Sequence, residues 1–162
     1  MSNIDYKIRT IPKKEDIESV REIVASTSFF RDDEVQVAVE LVEERLEKGI
    51  VSGYEFVFIE IDGKVAAYAC FGLIPCSLIS YDLYWIATGK DFQNRGLGRM
   101  ILNEVEKSVL AKGGKTIYIE TSSKPVYEPT RQFYLRTGYS LRVQFEDFYD
   151  INDDKQVYIK TL

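Results

Sequence analysis

Gln93-Asn94-Arg95-Gly96-Leu97-Gly98 is the stretch on which the reading of this chain turns. Before it stands Tyr81-Asp82-Leu83-Tyr84-Trp85-Ile86-Ala87-Thr88, aromatic and apolar residues over the length of one strand. After it, Leu97, Ile101, Val105 and Val109 recur at the spacing of one helix face. A strand therefore runs into a glycine-bearing loop that opens a helix. The first N–H groups of a helix lack partners within it, and the helix dipole favours negative charge at that end. Glycines at 96 and 98 remove side chains that would block an approaching phosphate. The loop suits an anionic ligand, with plain turn chemistry as the alternative. Two other phosphate loops do not fit. No G-x-x-x-x-G-K-[ST] occurs, and Ile101 stands where G-x-G-x-x-G needs its third glycine.

Composition narrows the class. The 162 residues are expected to form one domain, 1–162, long enough to bury its own core. Aromatic residues at 13 %, eleven of them tyrosine, speak against a disordered chain. A net charge of −5 argues against nucleic-acid partners and anionic membranes. The chain contains no run of about eighteen apolar residues. Its start, Met1-Ser2-Asn3-Ile4-Asp5, lacks a basic segment followed by an apolar one, so a cytoplasmic protein is expected. Histidine is absent, which removes Ser-His-Asp and Cys-His catalysis. With Cys70 and Cys76 as the only thiols, no metal site is expected.

Periodicity and turn residues divide the rest. A strand is expected over 4–11, closed by Pro12, then amphipathic helices over 14–28 and 33–48. Glu55–Ile61 and Lys64–Leu73 read as a hairpin across Asp62-Gly63. A strand over 81–88 and a helix over 97–112 flank the opening loop, and Gly113-Gly114 stops the helix. A fifth strand covers Lys115–Thr121. A helix over 129–137 follows, with Pro129 in its first turn and Gly138 at its end. Strands over 139–148 and 155–161 surround a turn at Asn152-Asp153-Asp154. The order β-α-α-β-β-β-α-β-α-β-β implies a mixed sheet with helices on both faces.

That order, together with two motifs, resembles the GNAT superfamily of N-acetyltransferases. The loop [Gln/Arg]-x-x-Gly-x-[Gly/Ala] is matched by Gln93, Gly96 and Gly98. A helix carrying Phe-Tyr-x-x-x-Gly-[Phe/Tyr] is matched by Phe133-Tyr134-Leu135-Arg136-Thr137-Gly138-Tyr139. The resemblance covers the whole chain and implies an α/β (α+β) fold, a mostly antiparallel sheet of about seven strands with four helices on both faces. It implies acetyl-CoA as cosubstrate, its pantetheine arm paired with Ile86, Ala87 and Thr88 like an added strand. The pyrophosphate would rest on the amides of Asn94, Arg95, Gly96, Leu97, Gly98 and Arg99 beside Gln93. Where the family carries an asparagine, six residues before Phe133, this chain has Tyr127, followed shortly by Thr130. Cofactor contacts from that turn are expected from Tyr127 and Thr130. A homodimer is a further expectation by analogy with the family.

Acetyl transfer to an amine sets chemical demands. A lysine-like amine has a pKa near 10.4, so roughly one in two thousand is neutral at pH 7. A base must take the proton, and a donor must meet the departing thiolate. A backbone N–H at the end of the fourth strand, that of Ile86, would serve the tetrahedral intermediate. Tyr134 holds the family's motif position and is the candidate donor. Asp82, eleven residues before Gln93, matches the glutamate that serves as base in histone-acetyltransferase members, and Glu120 in the apolar fifth strand is the second candidate. The acidic cluster Glu146, Asp147, Asp150, Asp153 and Asp154 either favours a cationic acceptor or only solubilises a turn. The expected activity is direct transfer in a ternary complex to a primary amine of a small molecule. A protein or peptide N-acetyltransferase, a non-catalytic acyl-CoA-binding module and a generic nucleotide-binding α/β domain are the rivals.

Overall fold

In the computed structural model residues 4–162 are described; Met1, Ser2 and Asn3, part of the stretch read above for a leader, lie outside them. The elements are β1 (Tyr6–Arg9), α1 (Asp16–Ser26), α2 (Asp32–Lys48), β2 (Glu55–Ile61), β3 (Lys64–Leu73) and β4 (Ser80–Thr88). They continue with α3 (Leu97–Ala111), β5 (Thr116–Ser122), α4 (Glu128–Arg136), β6 (Ser140–Asp150) and β7 (Asp153–Thr161). The expected order holds throughout. Short 3-10 turns at Gly49–Ser52, Lys90–Phe92 and Pro125–Tyr127 were not foreseen. The seven strands form one sheet in the order β1-β2-β3-β4-β5-β7-β6. β4 and β5 run parallel, and the other described pairings are antiparallel.

The chain forms two compact units, one built from the residues up to Gly72 with Trp85–Lys107, the other from Leu73–Tyr84 with Ser108–Leu162. In the first unit, α1 and α2 lay Val20, Ile23, Val24, Val35, Val39 and Val42 on Phe56, Phe58, Tyr68 and Cys70 of β2 and β3. Burying each such aromatic or aliphatic side chain contributes about 1.5–3 kcal/mol. The alternate residues Val57, Ile59, Ala67, Ala69 and Phe71 are buried too, as are Leu97, Ile101, Leu102 and Val105 of α3. Both faces of these strands are therefore covered, which is why they read as continuous apolar runs. Asp62 and Gly63 take φ of 50° and 75°, the two left-handed residues that a tight hairpin requires.

β1 is shorter than the expected 4–11. Arg9 ends it by turning its guanidinium onto Asp16 at 2.7 and 2.8 Å, the Ile11 carbonyl at 2.7 Å and Glu60 at 2.9 Å. The chain after Arg9 is thereby bent toward α1.

In the second unit, β5 pairs with β7 from Thr116↔Thr161 to Ser122↔Lys155. α4 packs Tyr134 against Tyr139 and Tyr158, with ring centroids 6.2 and 5.9 Å away. Gly114 closes the turn before β5 where a Cβ would meet Val109 at 2.5 Å and Tyr81 at 2.7 Å, so no larger residue fits. The turn expected at Asn152-Asp153-Asp154 sits at Ile151-Asn152 instead, and Asp153 already belongs to β7. The reason is tertiary: Asp153 is 6 % exposed and accepts a hydrogen bond from the Ser122 hydroxyl. β6 ends the sheet, and all eleven of its residues are exposed. Its pairing with β7 is interrupted between Phe145 and Asp150, where Asp147 takes φ of 50°.

Candidate active site

The loop Gln93–Gly96 is exposed, and its backbone turns through positive φ at Asn94 (63°) and Gly96 (77°) on either side of Arg95. The Gly96 carbonyl accepts the first helical hydrogen bond, from the Met100 N–H at 3.2 Å. The amides of Leu97, Gly98 and Arg99 thus belong to the first turn of α3, the group left without intrahelical partners. Leu97 is buried at 3 % exposure and anchors the start of α3 in the core. A Cβ on Gly96 would meet no atom within 4 Å, which leaves open space at the loop. Arg95 and Arg99 are exposed. Arg95 lies 5.5 Å above the Phe92 ring and donates to the Asp91 carbonyl at 3.3 Å. Open space, helix-end amides and two guanidinium groups fit a pyrophosphate.

Upstream, Ile86 and Thr88 are half-buried and Ala87 is buried. The parallel ladder covers Ser80–Leu83 of β4 and Thr116–Ile119 of β5, whereas β4 runs on to Thr88. The segment Ile86–Thr88 thus lies beyond the β5 ladder, as an added strand would require.

In the second unit, the register sets Asp82 beside Tyr118, and Glu120 follows two residues later on the same face. Burial pushes the Asp82 carboxyl up to about 6, helped by the nearby Glu120 charge and opposed by Lys155. Glu120 forms an ion pair with Lys155 at 2.9 Å. Lys155 in turn lies 4.4 Å from the Phe148 ring and 5.8 Å from that of Phe145. Tyr149 is pushed up to about 12 by burial and by Glu120, Asp153 and Tyr127. The structure thus brings Asp82 and Glu120 together and adds Lys155 and Tyr149, which the sequence did not single out.

Tyr134 lies elsewhere. It packs on Tyr158, whose position alternates with Val157 and Ile159, the residues that share the Glu120 face. Tyr134 and the carboxylate pair therefore occupy opposite faces of β5 and β7. Burial pushes the Tyr134 phenol well above its usual range. Tyr127 ends the 3-10 turn before α4, and Thr130 sits in the first turn of α4. That junction is held by Arg131, 8 % exposed, which donates to the Ser122 and Lys124 carbonyls at 2.8 Å and to Glu128 at 2.6 Å. Within the acidic cluster, Asp153 and Asp154 are structural. Asp154 accepts from Gln144 at 2.5 Å and from the Asp147 amide at 3.0 Å. Among the described residues, no three His, Cys, Asp or Glu side chains gather to hold a metal ion. None of their helices is long and apolar enough to cross a membrane.

The sequence profile of the Acetyltransferase (GNAT) family matches residues 17–139, a span that contains both the Gln93–Gly98 loop and Tyr134. The chain belongs to the GNAT family of acetyltransferases. A crystal structure assigned to that family, from Desulfovibrio desulfuricans, is 42 % identical over 97 % of this chain and 99 % of its own, with a TM-score of 0.95. More distant structures share the fold. The ribosomal-protein-S18-alanine N-acetyltransferase of Escherichia coli is 20 % identical over 97 % of this chain and 94 % of its own, with a TM-score of 0.76. An aminoglycoside 6'-N-acetyltransferase complexed with coenzyme A is 16 % identical over 96 % of each chain, with a TM-score of 0.75. Among curated proteins none matches the chain in sequence. The GNAT assignment carries the fold and the class, an acyltransferase.

Proposed function

We propose that this GNAT protein transfers the acetyl group of acetyl-CoA directly to a primary amine of a small molecule, as one cytoplasmic domain spanning residues 1–162. The observation that carries this reading is the pair of carboxylates Asp82 and Glu120 on one sheet face, one of them holding its proton up to about pH 6. A carboxylate with raised proton affinity accepts a proton near neutrality better than an ordinary one. With Lys155 paired to Glu120, ionised Asp82 leaves that face one net negative charge, which favours a cationic amine over an anionic acceptor.

Acetyl-CoA, when bound, supplies a thioester carbonyl open to attack and a thiol leaving group. Residues Asn94–Arg99 hold its pyrophosphate through backbone amides and the Arg95 and Arg99 guanidinium groups, beside Gln93. The backbone of Ile86–Thr88 aligns the arm as an added strand, and Tyr127 and Thr130 add contacts from the start of α4. Asp82 takes the proton the amine loses as its C–N bond forms. Tyr134 donates a hydrogen bond to the sulfur released as the C–S bond breaks. Its phenol, pushed up by burial, keeps its proton across the working range and acts as a donor rather than as a strong acid. Transfer without a covalent enzyme intermediate is favoured because burial pushes the Cys70 thiol far above the range in which a thiolate forms, and the chain has no histidine to activate the exposed Cys76.

Calorimetric titration with acetyl-CoA, followed by thiol release against a panel of small amines and peptides, tests the reading. Turnover with small cationic amines supports it. Turnover with peptides alone moves the acceptor to a protein, and binding without any turnover favours an acyl-CoA-binding module.

A further inference from the structure

Asp82 and Glu120 stand on one face of the β4–β5–β7 region, and one cation, Lys155, stands with them. Its ammonium lies 2.9 Å from Glu120, and its side chain is 16 % exposed. The register pairs Lys155 with Ser122 on β5 and with Phe145 on β6. Phe148 stands 4.4 Å from the ammonium and Phe145 5.8 Å, so aromatic rings flank a charge that a solvated lysine would keep in water. This clamp fixes the lysine onto one of the two carboxylates. We propose that Lys155 is a positioning residue: by occupying Glu120 in a close, aromatic-flanked pair it leaves Asp82 as the carboxyl that exchanges the proton. The inference rests on the acetyltransferase reading above for its role, although not for its electrostatics.

On the Asp82 face, β4 itself adds Tyr84 two residues on. β5 contributes Tyr118 beside it and Glu120; β7 contributes Lys155 and, further off, Asp153. Around Glu120 and Asp153 rather than Asp82, β6 brings Tyr149 with Tyr127, and Lys124 pairs with Asp153 at 3.5 Å. Tyr149 is held protonated by burial and its acidic neighbours and adds no charge. Lys155 is thus the cation that offsets Glu120 at Asp82. Without it Asp82 ionises against an uncompensated negative neighbour and keeps its proton to higher pH.

The test is a carbon-13 NMR titration of the Asp82 carboxyl in the full chain, for the wild type, Lys155→Met, Lys155→Arg and Glu120→Gln. The midpoint should rise by about half a pH unit or more in Lys155→Met and return near the wild-type value in Lys155→Arg. It should fall in Glu120→Gln. An unmoved midpoint in Lys155→Met overturns the proposal. Should that variant fail to fold, an unmoved midpoint in Glu120→Gln does the same. The acid limb of kcat/KM, measured with acetyl-CoA and an accepted amine, should follow the NMR midpoint. A midpoint that moves while the limb stays put supports the hold of Lys155 on Asp82 and removes Asp82 from the role of base.

Discussion

Tyr134 and Tyr158 pack with ring centroids 5.9 Å apart on the face of β7 that points away from Lys155. The donor proposed for the leaving sulfur and the carboxylates proposed for the amine therefore approach the sheet from opposite sides. Each side chain can therefore be replaced without disturbing the packing around the other. Tyr134→Phe keeps the ring packing and loses only the hydroxyl. Its kcat should fall by about 10²-fold with the urea midpoint nearly unchanged. Tyr134→Ala should cost about 3–5 kcal/mol of stability as well. Steady-state thiol release and urea unfolding read the two effects, and a Phe variant with wild-type kcat would sink the donor role.

Asp82 carries a pH signature in stability as well as in rate. Its carboxyl is held at about 6 in the fold, above its ordinary 3.8. The folded state binds this proton more tightly than the unfolded chain does. Its contribution is therefore most favourable below about pH 4 and is lost as pH rises through 6. Asp82→Asn removes that loss. The variant should gain on the order of 1 kcal/mol at pH 7, after discounting for the half-exposed site, and nothing at pH 4. Urea midpoints at the two pH values decide it, while kcat at pH 7 should drop 10²-fold or more.

Gly96 separates backbone strain from ligand approach. Its φ is 77° and a Cβ would meet nothing, so Gly96→Ala costs the fold only about 1–2 kcal/mol of left-handed strain. Gly96→Asn costs less, because asparagine tolerates that conformation. Both side chains occupy the space proposed for the pyrophosphate, so both should weaken acetyl-CoA binding tenfold or more by calorimetry. Wild-type affinity in the asparagine variant would remove the loop from the cofactor site.

The Arg9–Asp16 pair is buried, with Asp16 1 % exposed, and Arg9 is also shared with Glu60. Removing Arg9 leaves Asp16 buried, charged and without its cation, which costs about 3–5 kcal/mol. Arg9→Met should show this as a large fall in the urea midpoint.

Tyr68 offers the reverse case. Its hydroxyl is buried among Phe58 and the α1–α2 core and has no hydrogen-bond partner among the described residues. Tyr68→Phe should therefore stabilise the chain by about 1 kcal/mol, and a loss of similar size would mean the hydroxyl has a partner in solution.

Element order was legible because its punctuation is local. Asp62-Gly63, Gly113 and Pro129 act through their own backbones, and β2 and β3 are covered on both faces. The misplaced boundaries have distant causes. β1 stops early because Arg9 is drawn to Asp16 and Glu60, and β7 starts early because Asp153 is engaged by a hydroxyl 31 residues away. The cofactor loop could be read from spacing, since a helix start and two glycines lie within six residues. Lys155 could not. In Asp153-Asp154-Lys155-Gln156 it looks like one more solvated charge, and only its pairing with Ser122 and Phe145 sets it beside Glu120.

β6 closes the sheet with exposed Leu141, Val143, Phe145, Phe148 and Tyr149, the kind of border on which other chains can stack into fibrils. The irregularity at Asp147 breaks its flatness, and Glu146, Asp147 and Asp150 crowd it with negative charge. Both devices make it a poor template. Replacing the three carboxylates by their amides would leave an apolar border guarded by shape alone. Colloidal stability should fail near the pI of about 4.9, where net charge no longer keeps copies apart, and should fail sooner in that triple amide variant.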